Sequence, residues 1–423
     1  MSKTVPNSQT GSLSHNRHGA DDTLLGIDGQ TNVLYGDAFD MEDHARGGND
    51  ELIGGSLGAV NQLYGDAFAM HGHAHGGNDH LAGGGSGARN ELFGDARTMD
   101  GDTRGGNDLL EGGVGALGNV LYGDAFSMAG NARGGNDTLI SGSAIAGVAD
   151  AMRLVGDASE MHDNTRGGDD ALIQTSVRVS LLLGDALLMD GNSRGGNDLL
   201  EGGEATSSRL IGDASEMHDN ARGGDDRVIG ANAAVSSLSG DADSMDGHAR
   251  GGDDVLIGGQ SGIQSIYGDA VTMDGYSRGG DDRLTAGVGQ VDNSLFGDAS
   301  AMSGHARGGN DTLISGPGSD HMWGDAQFID GVAASPAAPV GEVVTGADVF
   351  VFAPGNGADY VHDFRQSDHD LIDVSAYGFH SLADMVIIGL GADTRIQFDA
   401  TDSVTLVGLG DPGVLRSSDF ILA

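Results

Sequence analysis

Residues 34–55 read Leu34-Tyr-Gly-Asp-Ala-Phe-Asp-Met-Glu-Asp-His-Ala-Arg-Gly-Gly-Asn-Asp-Glu-Leu-Ile-Gly-Gly55. The alternating stretches before Gly36 and after Asp50, each closed by glycine, predict two short strands separated by tight turns. Glycine density of this kind rules out a helix across the segment.

The segment is one copy of a repeat. Gly-Asp-Ala begins at Gly36, Gly65, Gly94, Gly123, Gly156, Gly184, Gly212, Gly240, Gly268, Gly297 and Gly324, eleven copies spaced by 27 to 33 residues. A second signal, Gly-(Asn/Asp)-Asp, ends at Asp50, Asp79, Asp108, Asp137, Asp170, Asp198, Asp226, Asp254, Asp282 and Asp311. Each lies 13 residues after the aspartate of its Gly-Asp pair: Asp37, Asp66, Asp95, Asp124, Asp157, Asp185, Asp213, Asp241, Asp269 and Asp298. The return arc varies from 14 to 20 residues. An arc of constant length has its ends held by directional bonds, whereas a merely connecting loop absorbs insertions cheaply. The chemistry is therefore expected on the 13-residue arc.

Stacked copies line up apolar rows, Leu34, Leu63, Leu92 and Leu121 onward on one side and Leu52, Leu81, Leu110 and Leu139 onward on the other. That thin, repeated core suits a chain only 38% hydrophobic and 5% aromatic, too poor in large side chains for one broad core. Four segments follow: a flexible N-terminus (1–17), the repeat solenoid (18–330), a Pro/Ala-rich insertion (331–345, around Pro336 and Pro339) and a C-terminal cap (346–423).

Composition excludes several functions. A formal net charge of −42 repels phosphate backbones and anionic lipids, so no nucleic-acid partner is expected. The single lysine, Lys3, leaves no P-loop or Schiff-base lysine, and the absence of cysteine leaves no disulfide or thiolate site. No apolar run approaches the length of a transmembrane helix, and the opening residues have no apolar signal-peptide core.

Leu34-Tyr-Gly-Asp-Ala38 and Gly47-Gly-Asn-Asp-Glu-Leu-Ile-Gly-Gly55 resemble the calcium-binding nonapeptide of the RTX (repeats-in-toxin) family, split here by residues 39–47. Ala347-Asp-Val-Phe-Val-Phe-Ala-Pro-Gly-Asn-Gly-Ala-Asp-Tyr-Val-His-Asp-Phe364, Asp370-Leu-Ile-Asp-Val-Ser-Ala-Tyr-Gly-Phe379 and the ending Asp419-Phe-Ile-Leu-Ala423 resemble the serralysin-type C-terminal region that carries the signal for type I secretion. The resemblance implies an all-β fold, a right-handed parallel β-roll or β-helix solenoid of about eleven coils with a β-rich C-terminal cap. It implies multiple Ca2+ ions held by the twenty aspartates above and by glycine carbonyls, among them Gly36, Gly48, Gly65, Gly77, Gly94, Gly106, Gly123 and Gly135. Calcium's demand for six to eight oxygens in flexible geometry suits glycine turns flanked by carboxylates. Most of the opposite turns lack the final aspartate, so calcium is expected mainly along one edge.

Other rows carry competing readings. Met41, Met70, Met99, Met128, Met161, Met189, Met217, Met245, Met273 and Met302 suit core packing better than a soft-metal row. Five residues after each stands Arg46, His75, Arg104, Arg133, Arg166, Arg194, Arg222, Arg250, Arg278 or Arg307; these are expected to pair with flanking aspartates, an anionic partner being the alternative. Tyr35, Tyr64, Phe93, Tyr122, Tyr267, Phe296 and Trp323 are expected on the outward face, stacked on one another, with glycan binding as the sharper alternative. Asp100–Glu111 and Asp190–Glu201 mimic an EF-hand loop but place arginine where a ligand is needed. Gly54-Gly-Ser-Leu-Gly58 matches a hydrolase elbow by composition, and His71, His73, His75 and His80 read as solvated loop residues rather than a zinc site.

Repeat and C-terminal region leave no room for a separate catalytic domain. The expected protein is a secreted, non-enzymatic calcium-binding β-roll. It would fold on meeting calcium outside the cell and act as a structural or adhesive surface or matrix protein. The type I secretion machinery is one expected partner, and self-association or a cell-surface glycan another. The alternative is a soluble effector or toxin-like protein that binds a host membrane or glycan.

Overall fold

The alternating stretches form strands, and each coil holds three of them rather than the two expected. In the computed structural model, which describes residues 3–4, 11–143, 151–289, 292–336, 338 and 340–423, the chain divides into two units, Met1–Gly224 and Asp225–Ala423. Each is a parallel β-solenoid, with about eleven coils between them. Parts of the N-terminal segment (1–2, 5–10), of the Pro/Ala-rich insertion (337, 339) and of the longest return arc (144–150) lie outside the described residues, as do residues 290–291.

One coil of the first unit shows the plan. Arg89–Phe93 forms the first face, Ala96–Met99 the second and Leu109–Glu111 the third. Each face pairs in parallel with its successor, placing Leu92 on Leu121, Met99 on Met128 and Leu110 on Leu139. The second unit repeats this with Ile266 on Leu295, Met273 on Met302 and Leu284 on Leu313. The second face escaped the sequence pattern because it falls within the nine residues that split the motif, where four-residue strands such as Ala67-Phe-Ala-Met70 alternate only briefly.

The three inward rows fill the core. The leucine rows and the whole methionine row are buried, so methionine packs as expected. Burying each side chain contributes roughly 1.5–3 kcal/mol. A fourth, polar row runs inside the turn before the first face. Asn61 bonds both ways to Gly55, accepting its N–H at 2.9 Å and donating to its carbonyl at 2.8 Å, and then donates to Asn90 at 2.7 Å. The amide satisfies turn backbone that would otherwise be buried unpaired.

The aromatic row corrects the expectation of an exposed stripe. Tyr64, Phe93 and Tyr122 are at most 2% exposed and stack at 4.9 and 5.0 Å. The chain bends at Gly65-Asp66 immediately after the ring, so Phe68 and Phe126 of the second face fold over the outer corner and cover it.

Within the second unit the coil pattern continues past residue 346. Val349–Val351 and Leu371–Asp373 extend the third face, and Ala358–Val361 the first. Ser403–Leu406 then adds to the first face in parallel, and Thr394–Gln397 and Val386–Gly389 finish it antiparallel. Among the described residues no helix is long and apolar enough to cross a membrane.

Candidate metal site: two buried carboxylate ladders

The constant 13-residue arc has a structural cause. Asp95 accepts the N–H of Gly106, eleven residues on in the same coil, at 2.9 Å, and Asp37 accepts that of Gly48 at 2.8 Å. The bond recurs from Asp124 to Gly135 and, in the second unit, from Asp269 to Gly280 and Asp298 to Gly309. The split halves of the motif are thus rejoined across the intervening strand.

The second aspartate of each coil binds along the stack. Asp79 Oδ1 accepts the backbone N–H of Asp50 at 2.7 Å, and Asp108, Asp137 and Asp170 repeat this at the same distance. In the second unit Asp254, Asp282 and Asp311 do likewise at 2.7–2.8 Å. Two ladders of aspartate result, and every predicted aspartate except the half-buried Asp37 is buried.

Among the described residues, one oxygen in most of these carboxylates has no hydrogen-bond partner. Oδ2 of Asp50, Asp79, Asp108, Asp137 and Asp170 is buried and unbonded, as are those of Asp95, Asp157 and Asp185. Asp254, Asp269, Asp282, Asp298, Asp311 and Asp348 repeat the pattern in the second unit. Glycine makes room for these oxygens. A Cβ at Gly94 would lie 1.7 Å from the Gly123 carbonyl and 2.2 Å from Asp108 Oδ2, and one at Gly106 would lie 1.4 Å from the Gly77 carbonyl. The predicted glycines Gly36, Gly65, Gly77, Gly123 and Gly135 are equally closed to a side chain, each facing a carboxylate, a carbonyl of the adjacent coil or both. Gly48 likewise faces the Ala20 carbonyl, where a Cβ would lie 2.6 Å away.

Burial dominates the electrostatics. It raises the Asp50 carboxyl from 3.8 to about 7 against the lowering effect of the Asp22 N–H, with neighbouring carboxylates adding to the rise. Asp370 is likewise pushed up to about 8. Asp79, Asp108, Asp137, Asp254 and Asp282 are raised well above the ordinary carboxylate range for the same first reason. At a coil spacing of about 4.8 Å, two ionised carboxylates repel by roughly 3 kcal/mol at an effective dielectric of 20. A row of them must therefore either hold protons or face cations.

The donor set fits a hard cation. It offers anionic and carbonyl oxygens and no sulfur or imidazole, the preference of calcium rather than of zinc or copper. Among the described residues no three His, Cys, Asp or Glu side chains gather into a ready-made cluster. A cation would therefore draw much of its shell from glycine carbonyls.

Sequence reasoning stopped the ladders one segment early. Asp348 accepts the Asp311 N–H at 2.9 Å and Asp370 that of Asp348 at 3.1 Å, while Asp325 accepts the Gly346 N–H at 2.6 Å. Gly324-Asp325 and Gly346-Ala-Asp348 carried the signal for this continuation.

The other candidates stand apart from the ladders. His71, His73 and His80 each face one carboxylate of the next coil, Asp100, Asp102 and Glu111, and do not converge. Ser56 Oγ accepts the Gly85 N–H at 3.1 Å. The arginine row departs from expectation: among the described residues none of its guanidiniums lies within 4.0 Å of a carboxylate. The nearest ladder aspartates are buried and turned toward backbone N–H groups. Compared with known protein families, with curated proteins and with solved structures, the chain matches none.

Proposed function

We propose that this protein is a secreted, calcium-binding β-solenoid of the RTX type. It is non-enzymatic and acts as a structural or adhesive protein at a cell surface or in an extracellular matrix. The observation that carries the reading is the pair of buried aspartate ladders, whose unbonded oxygens crowd glycine carbonyls in successive coils. Calcium between coils would neutralise the rows and bond the coils to one another, serving as the staple in a chain without cysteine. In calcium-poor cytosol the repelling carboxylates would keep the chain unfolded, as passage through a secretion channel requires. The C-terminal resemblance to type I secretion substrates supports that route.

Equilibrium dialysis against radioactive calcium at neutral pH tests the reading. It predicts several ions per chain, on the order of one per coil, with magnesium competing weakly. Binding of one ion or none would refute it. Rising molar mass in calcium, followed by light scattering, would favour the matrix role, and a strictly monomeric chain would favour the effector role.

A further inference from the structure

The outer edge between the second and third faces carries a row of arginines in a molecule that is otherwise strongly acidic. In the first unit, single-residue parallel bridges stack Arg104, Arg133, Arg166, Arg194 and Arg222, one exposed guanidinium per coil. None is paired with a carboxylate among the described residues, although the chain carries a net charge of −42. Two positions earlier in each coil lies a second exposed row, Asp102, Asn131, Asn164, Asn192 and Asn220, mostly amides bonded to one another. Asn131 donates to Asp102 at 2.8 Å and Asn192 to Asn164 at 3.1 Å. Between the rows lie polar notches of about 290 Å³ at Arg104 and Arg133, and about 390 Å³ at Arg194 and Arg222.

The second unit keeps the cations and changes the companion row. Arg250, Arg278 and Arg307 stack in register, and beside them His248, Tyr276 and His305 form a column of rings. Tyr276 is 53% exposed, stacked on His305 at 4.5 Å and 5.1 Å from His248.

We propose that this edge, in each unit taken by itself, is a binding strip for a linear acidic polysaccharide. Guanidiniums at intervals of about 4.8 Å match a polymer carrying one anionic group per extended sugar residue. Amides that donate and accept suit hydroxyl groups, and an exposed ring column suits the apolar face of a sugar. A polyanion without sugars would use the arginines and leave the companion row idle. A row of like charges is also held against its own repulsion, which an anionic chain along it relieves. The inference deepens the adhesive reading by naming its partner class, and it rests on that reading for the folded state.

Calorimetric titration of the full chain in calcium and low salt, with an unbranched oligouronate as probe, tests the strip. Neutral dextran and poly-L-glutamate of matched length serve as controls. The oligouronate should bind, weaken as salt rises, and exceed both controls. The triple variant Arg104→Gln/Arg133→Gln/Arg166→Gln should bind about tenfold more weakly, and Tyr276→Ser about fivefold more weakly, with circular dichroism and calcium-dependent radius unchanged. Absence of oligouronate binding, equal binding of poly-L-glutamate, or full affinity in the folded triple variant would overturn the strip and leave the calcium reading standing. Loss of the calcium-dependent fold in the parent chain would instead refute the calcium reading.

Discussion

Raising the pH in chelator should unfold this protein, the reverse of ordinary acid denaturation. A carboxyl whose value is higher in the fold than in the unfolded chain binds its proton more tightly in the fold. Its metal-free fold is favoured below the unfolded value, near 4, and loses that stability as pH climbs through the folded value. For Asp50 in the first unit that window runs from 3.8 to about 7, and for Asp370 in the second from 3.8 to about 8. At ~1.4 kcal/mol per tenfold change, ionising Asp50 in the fold costs on the order of 4 kcal/mol and Asp370 on the order of 6, both somewhat less after solvent screening. A whole domain is stable by only about 5–15 kcal/mol. Each unit holds several more carboxylates raised for the same reason, so titrating a few is enough to unfold it. Far-UV circular dichroism from pH 4 to 8 in chelator reads both units, and the fluorescence of the single tryptophan, the buried Trp323, reads the second. Calcium binds the ionised form, so at millimolar calcium the dependence should invert and the fold should persist at pH 7 to 8. A metal-free chain equally folded from pH 4 to 8 would refute the reasoning.

Three substitutions separate packing from charge. Gly94→Ala forces a Cβ to 1.7 Å from the Gly123 carbonyl and should destabilise by about 3 kcal/mol or more in calcium melts. Gly58→Ala, at a left-handed φ of 79° but with open space around it, should cost only about 1 kcal/mol. Asp108→Asn keeps the acceptor for the Asp79 N–H and removes one buried charge. It should shift metal-free unfolding to higher pH and raise the calcium concentration at half-folding, whereas a purely structural aspartate would move neither.

Rows that repeat at fixed spacing were legible in the sequence. The leucines, the methionines and both aspartate ladders could be read because one coil repeats another and each row needs the same side chain. The second face was hidden because strands such as Ala67-Phe-Ala-Met70 are only four residues long and alternate too briefly to stand out beside the glycine motif. The burial of Tyr64 and Tyr122 does not follow from strand alternation, which says which side a ring takes, not that the bend right after it brings Phe68 or Phe126 over it. Asn61 and Asn90 look like surface residues until the turn backbone they satisfy is seen. The arginines had ladder aspartates nearby in sequence, Asp108 after Arg104 and Asp137 after Arg133, yet those carboxylates are committed to backbone N–H groups of the preceding coil.

The central claim is that cations between coils turn repulsion into folding. Size-exclusion chromatography with in-line light scattering, stepping calcium from chelated to millimolar at pH 7.5 with magnesium as control, tests it most directly. The account predicts a large hydrodynamic radius in chelator that contracts sharply with calcium and not with magnesium. A radius already compact in chelator and indifferent to calcium would contradict it.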